Sequence, residues 1–341
     1  MAADGGPSRG DSVGLLVEIA RRYFIENETQ DTIARALSLS RMKVNRLLRE
    51  AQEEGLVEIR VRLHSSQTRD LEAAFARRFG LRHLLVAPEA SAPVRQRAAV
   101  AGLVSNFLES TLRENAVVAI GMGRNVAAVA AAQAGRGFDG IEWVSASGGA
   151  SEAGEEGNAD HICRAFARRF GGTATTLYAP AYVPDPALRE ALMRHETVRR
   201  TLNRARGADV AIMGIGDLGP DSHMARMGWF SPDEIRQAQA EGVVGDLMGY
   251  DFFTLSGEAR NERLGGRVIG LGREDLARIG CTIAVAAEPS KVTAILGALR
   301  TGVIDVLATS APNCRAVLDL ALQQDAAPIG TARRPHPEEN T

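Results

Sequence analysis

The chain has 341 residues, 45% of them hydrophobic and 24% charged, a length that suits two domains and a composition that excludes wholesale disorder, collagen and coiled coil. Its formal net charge of −2 exerts no global pull on nucleic acid, so any such binding must come from a local patch. No apolar run reaches the roughly 18 residues that span a bilayer, the start MAADGGPSRG lacks the order of a secretory signal, and Cys163, Cys281 and Cys314 are far apart without a CxxC. These features predict a cytoplasmic protein without membrane contact, disulfide framework or zinc knuckle, each cysteine acting as a small buried hydrophobe.

Residues 1–11 are small, polar and Gly/Pro-rich and read as a disordered tail. A helix is expected from Asp11 or Ser12, with Val13, Leu16, Val17, Ile19 and Ala20 inward. A second runs from Gln30 to Leu37 with Ile33, Ala34 and Leu37 on one face. After Ser38 to Ser40 a third continues to about Glu53, with Val44, Leu47 and Leu48 inward and Gly55 as its stop. The alternating LVEIRVRL, 56–63, predicts a strand. Two helices, a turn, a helix and a strand make a winged helix-turn-helix, so 12–63 is expected to be a DNA-binding domain, followed by a polar hinge over 64–70.

From 71 to 324 apolar runs alternate with helical segments: 116–120, 141–146, 209–216, 281–291 and 303–313. Each run ends in glycine or a polar break, which predicts an α/β domain built on a doubly wound parallel sheet, with ligands outside the carboxyl ends of its strands. Apolar residues of 71–112, among them Leu71, Phe75, Phe79, Leu103 and Phe107, can serve core or subunit contacts. The tail 325–341 has too few apolar residues to pack.

Two places carry candidate chemistry. The stretch Thr32 to Arg49 holds Arg35, Arg41, Lys43, Arg46 and Arg49 with no Asp or Glu, a local charge of +5. With Val44, Leu47 and Leu48 inward, Arg41, Asn45 and Arg46 are expected to meet base edges or adjacent phosphates, and Ser40 and Lys43 the DNA backbone. One such module makes few phosphate contacts, so a working regulator needs at least a dimer. The second place is the series of strand ends. Ile120 begins IGMGRN, a GxG turn that opens a helix and exposes amides suited to anions; it lacks the third glycine of a dinucleotide fingerprint, Val126 standing there. Lys291, one of only two lysines beside 38 arginines, follows Glu288-Pro289-Ser290 directly after a strand and marks a second anion site, with Pro289 suited to the first helical position. Gly245-Asp246 puts a carboxylate in a glycine-flanked turn where it can accept hydrogen bonds from ligand hydroxyls.

SRMKVNRLLREAQEEGLVEI, IGMGRN, Gly148-Gly149, ADVAIMGIG, GVVGDLMG, RVIGL and AEPSKVTAILGALRTGVIDVLAT, in this order over residues 12–322, resemble the SorC family of sugar-responsive transcriptional regulators. The resemblance implies a helix-turn-helix domain joined to a sugar-binding domain akin to sugar-phosphate isomerases, assembled as a homodimer or homotetramer on a double-stranded DNA operator. It implies an effector set of Gly121, Gly123, Arg124, Asn125, Gly148, Gly149, Asp246 and Lys291, with the first four at a phosphate end, Asp246 at the sugar end and Lys291 on the phosphate. Asn125 stands where the family commonly has a hydroxyl residue, and Glu288-Pro289-Ser290 where it often has glycines. A carboxylate at Glu288 disfavours a phosphate, so the effector is expected to be a sugar, a polyol or a sugar phosphate, with the uncharged forms favoured.

The alternative is an isomerase- or deaminase-like enzyme with an accessory N-terminal domain. Related deaminases use an Asp and a His after a glycine pair, and here GIGDLGPDSHMA holds Asp221 and His223. Their spacing is longer and Ser222 separates them, which a base that must lie within about 3 Å of its proton does not tolerate. No HExxH, GxSxG or Walker loop is present, and Asp160-His161-Ile162-Cys163 is too sparse for a metal site, Asn158 reading as a helix cap. The expectation is a regulator with no catalytic residues, metal or cofactor. Effector binding would favour one arrangement of subunits and so change the spacing of the paired recognition helices.

Overall fold

In a computed structural model, which describes residues 9–57, 65–132, 137–150, 157–219, 226–260 and 265–326, the polypeptide divides between Met1–Arg62 and Leu63–Thr341. The first unit is helical. Helix α1 (Arg9–Ala20) continues as a π-helical turn over Arg21–Ile25, and α2 (Gln30–Ala36) and α3 (Arg41–Glu53) follow. Thr29 caps α2 by accepting the Thr32 N–H at 3.2 Å, and Ser40 caps α3 by accepting the Lys43 N–H at 3.1 Å. Leu16, Ile19 and Ala20 meet Ile33 and Ala34 of α2 and Val44, Leu47, Leu48 and Ala51 of α3 in one small core. The buried stripe of α1 is narrower than its sequence predicts: Val13 and Val17 are each 46% exposed. Of the expected wing strand, Leu56 and Val57 are described and not in a strand, and 58–63 lie outside the described residues, as do 1–8 of the expected N-terminal tail.

The second unit opens with α4 (Ser65–Phe79). The predicted hinge 64–70 is corrected here: Ser65 to Asp70 form the first turns of this helix, whose polar beginning is continuous with an apolar stripe of Leu71, the fully buried Phe75 and Phe79. Then come β1 (His83–Ala87), α5 (Pro93–Thr111), β2 (Val117–Ile120), α6 (Arg124–Ala131), β3 (Glu142–Ser145), α7 (Ala159–Phe170) and β4 (Thr173–Thr175). After α8 (Pro186–Arg194) and α9 (Glu196–Arg206) the chain forms β5 (Val210–Gly216), α10 (Pro232–Ala240) and the hairpin β6 (Val243–Leu247) and β7 (Asp251–Thr254). It ends with α11 (Arg273–Leu276), β8 (Cys281–Val285), α12 (Val292–Arg300), β9 (Val306–Ser310) and α13 (Ala311–Ala326). Helix α13 thus covers the first two residues assigned to a C-terminal tail, and 327–341 lie outside the described residues.

The sheet runs β1-β9-β8-β5-β2-β3-β4, all parallel, as the recurrent strand–helix alternation predicts. Sequence reading locates β2, β3, β5, β8 and β9 but not β1, β4 or the hairpin, and the hairpin is antiparallel: β6 pairs with the end of β5 through Ile215–Leu247 and Gly216–Asp246. Apolar residues on the two sheet faces form separate cores under the flanking helices. Cys163 and Cys314 are buried in them as expected, whereas Cys281 is half-exposed. Asn158 caps α7 by accepting the Asp160 N–H at 3.3 Å. From β2 the chain moves to β3 on one side, and from β5 it moves through the hairpin to β8 on the other, so the sheet's direction of winding changes between β2 and β5. That is where an open α/β sheet leaves a crevice at its strand ends. No helix among the described residues is long and apolar enough to cross a membrane.

Candidate functional site

A cleft of about 320 Å³ lies over the carboxyl ends of β2, β5 and β8, the volume of a small-ligand site. Its walls come from the start of α5 (Pro93 and, one turn on, Arg97), the β2–α6 turn (Met122 to Asn125), the end of β5 (Gly214 to Asp217) and the hairpin (Asp246, Met248, Gly249). The segment after β8 adds Glu288, Ser290 and Lys291. Gly123 precedes α6 with φ +103°, a conformation that glycine adopts without penalty, and it lines the cleft together with Arg124 and Asn125 of the helix's first turn, where the amides have no side-chain cap.

Asp246 is 1% exposed. Contrary to the sequence reading it sits within strand β6 and not in a turn; the turn is Met248-Gly249, whose Gly249 N–H donates to Asp246 Oδ1 at 2.6 Å. Burial pushes the carboxyl up to about 7, with Asp217 and Asp251 adding to the rise, against the Gly249 N–H and the Lys291 charge. Near neutrality Asp246 therefore exists both as acceptor and as O–H donor, which suits a ligand hydroxyl that can do either.

A second carboxylate of the lining, Glu288, is the centre of a polar cluster. Glu288 pairs with Arg97 Nη1 at 3.2 Å and with Lys291 Nζ at 3.2 Å, and accepts from Asn125 Nδ2 at 2.8 Å. Burial by itself would raise the Glu288 carboxyl; the Lys291 charge and the Asn125 hydrogen bond outweigh it and hold the group down at about 2. Lys291 also donates to the Ile215 carbonyl at 2.7 Å. Asn125 Oδ1 accepts the Ala287 N–H at 3.3 Å, so this buried side chain clamps α6 to the end of β8. Arg124 is partly buried, and burial together with the repulsion of Arg226 and Arg97 lowers its basicity. Asp217 accepts from Ser290 Oγ at 2.7 Å.

The structure thus gathers Gly123, Arg124, Asn125, Asp246 and Lys291 around one space. Gly121 lies beneath it, its N–H bonded to the Ile212 carbonyl at 2.8 Å. Gly148 and Gly149 do not line it: their N–H groups donate to the carbonyls of Ile269 and Ala179, each at 2.9 Å, because the chain after β3 is stitched to two other segments. Arg97, Asp217, Met248 and Glu288's ion pairs went unpredicted; Arg97 was within reach, as a cation one turn after a helix-starting proline at a strand end. Asp221 and His223 lie outside the described residues.

In the first unit Ser40, Arg41, Met42, Lys43, Asn45, Arg46, Arg49 and Gln30 ring a shallow groove. Arg41, Lys43 and Arg46 are exposed and Val44 is buried, as the helical register predicts. Arg41 stands 3.8 Å from Asp31, both side chains more than 60% exposed, a pairing too solvated to hold the guanidinium. Ser40 is spent on its cap, and Met42, 84% exposed, is the apolar residue of the patch.

A short helical unit with a basic third helix, followed by an α/β domain with a polar cleft at its strand ends, defines a ligand-responsive DNA-binding regulator. Residues 64–319 match the family model described as "Putative sugar-binding domain". A crystal structure described as "Putative Sugar-Binding Domain of Transcriptional Repressor from Vibrio fischeri" is 46% identical, with TM-score 0.69, covering 74% of this chain and 99% of that one. Full-length SorC, the sorbitol operon regulator of Klebsiella pneumoniae, is 23% identical with TM-score 0.67, covering 90% and 99%, and shares the fold. The transcriptional regulator LsrR of Enterobacter sp. strain 638 is 28% identical over 315 residues, 90% of this chain and 93% of its own length. The chain belongs to the sugar-binding domain family, as a SorC-like, sugar-responsive transcriptional regulator.

Proposed function

We propose that a small polyhydroxylated effector, a sugar, a polyol or its phosphate, occupies the cleft between α6, the β6–β7 hairpin and the Glu288–Lys291 segment, and that its binding sets the affinity of α3 for an operator. The observation that carries this reading is that one cleft is lined both by Asp246, a buried carboxyl able to accept and donate, and by the uncapped first turn of α6. Gly123, Arg124 and Asp246 meet the effector, Asn125 and Lys291 shape its wall, and Gly121 supports the turn from below. On DNA, Arg41, Asn45 and Arg46 serve base edges or nearby phosphates and Lys43 the backbone, while Ser40 fixes the start of the helix.

Binding rather than turnover is the role proposed for Asp246, since the relatives named above are regulators and repressors. The chain then works in the cytoplasm beside its operator. A single α3 neutralises few phosphates, so two copies at least act together as a homodimer or homotetramer, and the effector shifts the spacing of their helices by preferring one arrangement. A thermal-shift screen of sugars, polyols and their phosphates, followed by fluorescence anisotropy on operator-region duplex with and without the hit, tests the proposal. A hit that stabilises the protein and changes DNA affinity supports it. Turnover of a sugar phosphate that vanishes in Asp246→Ala would instead establish an enzyme.

A further inference from the structure

Among the described residues Arg97, Arg124 and Lys291 face the cleft, and in a site meant for an anion they would await it. Here they do not. Glu288 Oε1 lies 3.2 Å from Arg97 and Oε2 lies 3.2 Å from Lys291, and the same carboxylate acts through space on the Arg124 guanidinium. Its side chain is 14% exposed, and the amide of Asn125 at 2.8 Å, itself locked by the Ala287 N–H, leaves it no freedom to swing away. Arg97 and Lys291 are thus ion-paired to one buried carboxylate before any ligand enters, with Asp217 and the partly ionised Asp246 adding negative charge to the lining. A phosphate dianion would bring two further negative charges beside a buried carboxylate, whereas hydroxyl groups meet Asp246 and the α6 amides without any charge to offset.

We propose that Glu288 fixes the effector class: its carboxylate occupies the counter-ions an anionic effector would need, so the cleft takes an uncharged sugar or polyol and rejects the corresponding phosphate ester. This rests on the reading of the cleft as the effector site, and it narrows that reading to one chemical class. Glu288→Gln keeps an acceptor for Asn125 while removing the charge, releasing Lys291 and Arg97 to an incoming anion.

The test uses the full chain and calorimetric titration with free aldoses and alditols, the monophosphate of each hit, and inorganic phosphate. In the natural protein the free compound should bind at least about tenfold more tightly than its monophosphate. In Glu288→Gln the affinity for inorganic phosphate should rise about tenfold or more, and the ratio of monophosphate to free-compound affinity should shift toward the monophosphate by a similar factor. A natural protein that prefers the monophosphate overturns the proposal, and so does a folded Glu288→Gln whose phosphate affinity is unchanged. If Glu288→Gln does not fold, the comparison in the natural protein decides alone. If no sugar or polyol binds, the broader effector reading fails, and the inorganic-phosphate comparison between the two proteins still decides the part played by Glu288.

Discussion

Gly216 and Asp246 face one another across the β5–β6 pair so closely that a Cβ on Gly216 would stand 2.6 Å from the carboxylate carbon of Asp246. The glycine is what lets a buried carboxylate lie flat against the end of β5. Gly216→Ala must push Asp246 off the Gly249 N–H or move the hairpin. The expected cost is about 1–3 kcal/mol, as for overpacking elsewhere, with loss of the effector response. Urea unfolding and the thermal-shift hit measure the two effects. An Ala variant as stable as the parent and fully responsive would show that Asp246 has room to spare.

The two key carboxyls of the cleft titrate in opposite senses, which gives a pH signature. Asp246, raised to about 7, is protonated in the folded chain where the unfolded chain is already ionised, so its contribution is full below the ordinary carboxylate range and is lost as pH rises from about 4 toward 7. Glu288, held at about 2, contributes above its ordinary range and loses that contribution as pH falls from about 4.5 toward 2. Against the natural protein, Asp246→Asn should gain relative stability between pH 4 and 7, and Glu288→Gln should close its deficit below pH 4.5. Denaturant melts across pH read both slopes, and a difference of the wrong sign removes the assignment.

How far the sequence carries such a site depends on the range of the contact. The inward face of α3 follows from a 3.6-residue period, and β2, β5, β8 and β9 from apolar runs that a doubly covered sheet requires. Lys291 was visible because lysine is rare in this chain. The short edge strand Thr173–Thr175 has no such run, and β1 lies in a stretch whose apolar residues serve helices as well. Gly148-Gly149 shows the limit of local reading. Like Gly121 and Gly123 it follows a strand, but whether exposed amides meet a ligand or another carbonyl depends on Ala179 and Ile269, which are distant in sequence. The same holds for Glu288, whose charge reads as an obstacle until Arg97 and Asn125 are seen around it.

At the DNA face the cap and the charge of α3 can be separated. Ser40→Ala removes the acceptor for the Lys43 N–H and should cost about 1 kcal/mol of stability. Ser40→Asp keeps the acceptor and suits the helix N-terminus, so the melt should be nearly unchanged, yet it sets a negative charge beside Arg41 and Lys43 and should weaken DNA binding. Arg46→Ala should leave stability alone and lower the slope of log affinity against log salt by about 1 if it meets a phosphate. Anisotropy titrations over a salt series separate these cases. A Ser40→Asp protein with full DNA affinity would move the interface off this end of α3.

Asn125 offers the strictest test of the cluster, because both ends of its amide are used: Nδ2 donates to Glu288 at 2.8 Å and Oδ1 accepts from Ala287 at 3.3 Å. Asn125→Asp keeps the second bond and turns the first into two carboxylates in contact within a buried site. The expected loss is about 3 kcal/mol or more, since a buried charge is left against its like. Adding Glu288→Gln restores a donor, now from the other side, and should recover at least half of the loss. The double variant measures the pair itself: if Asn125→Asp costs the same with glutamate as with glutamine at 288, the two side chains are not coupled and the carboxylate is held by Lys291 and Arg97 alone.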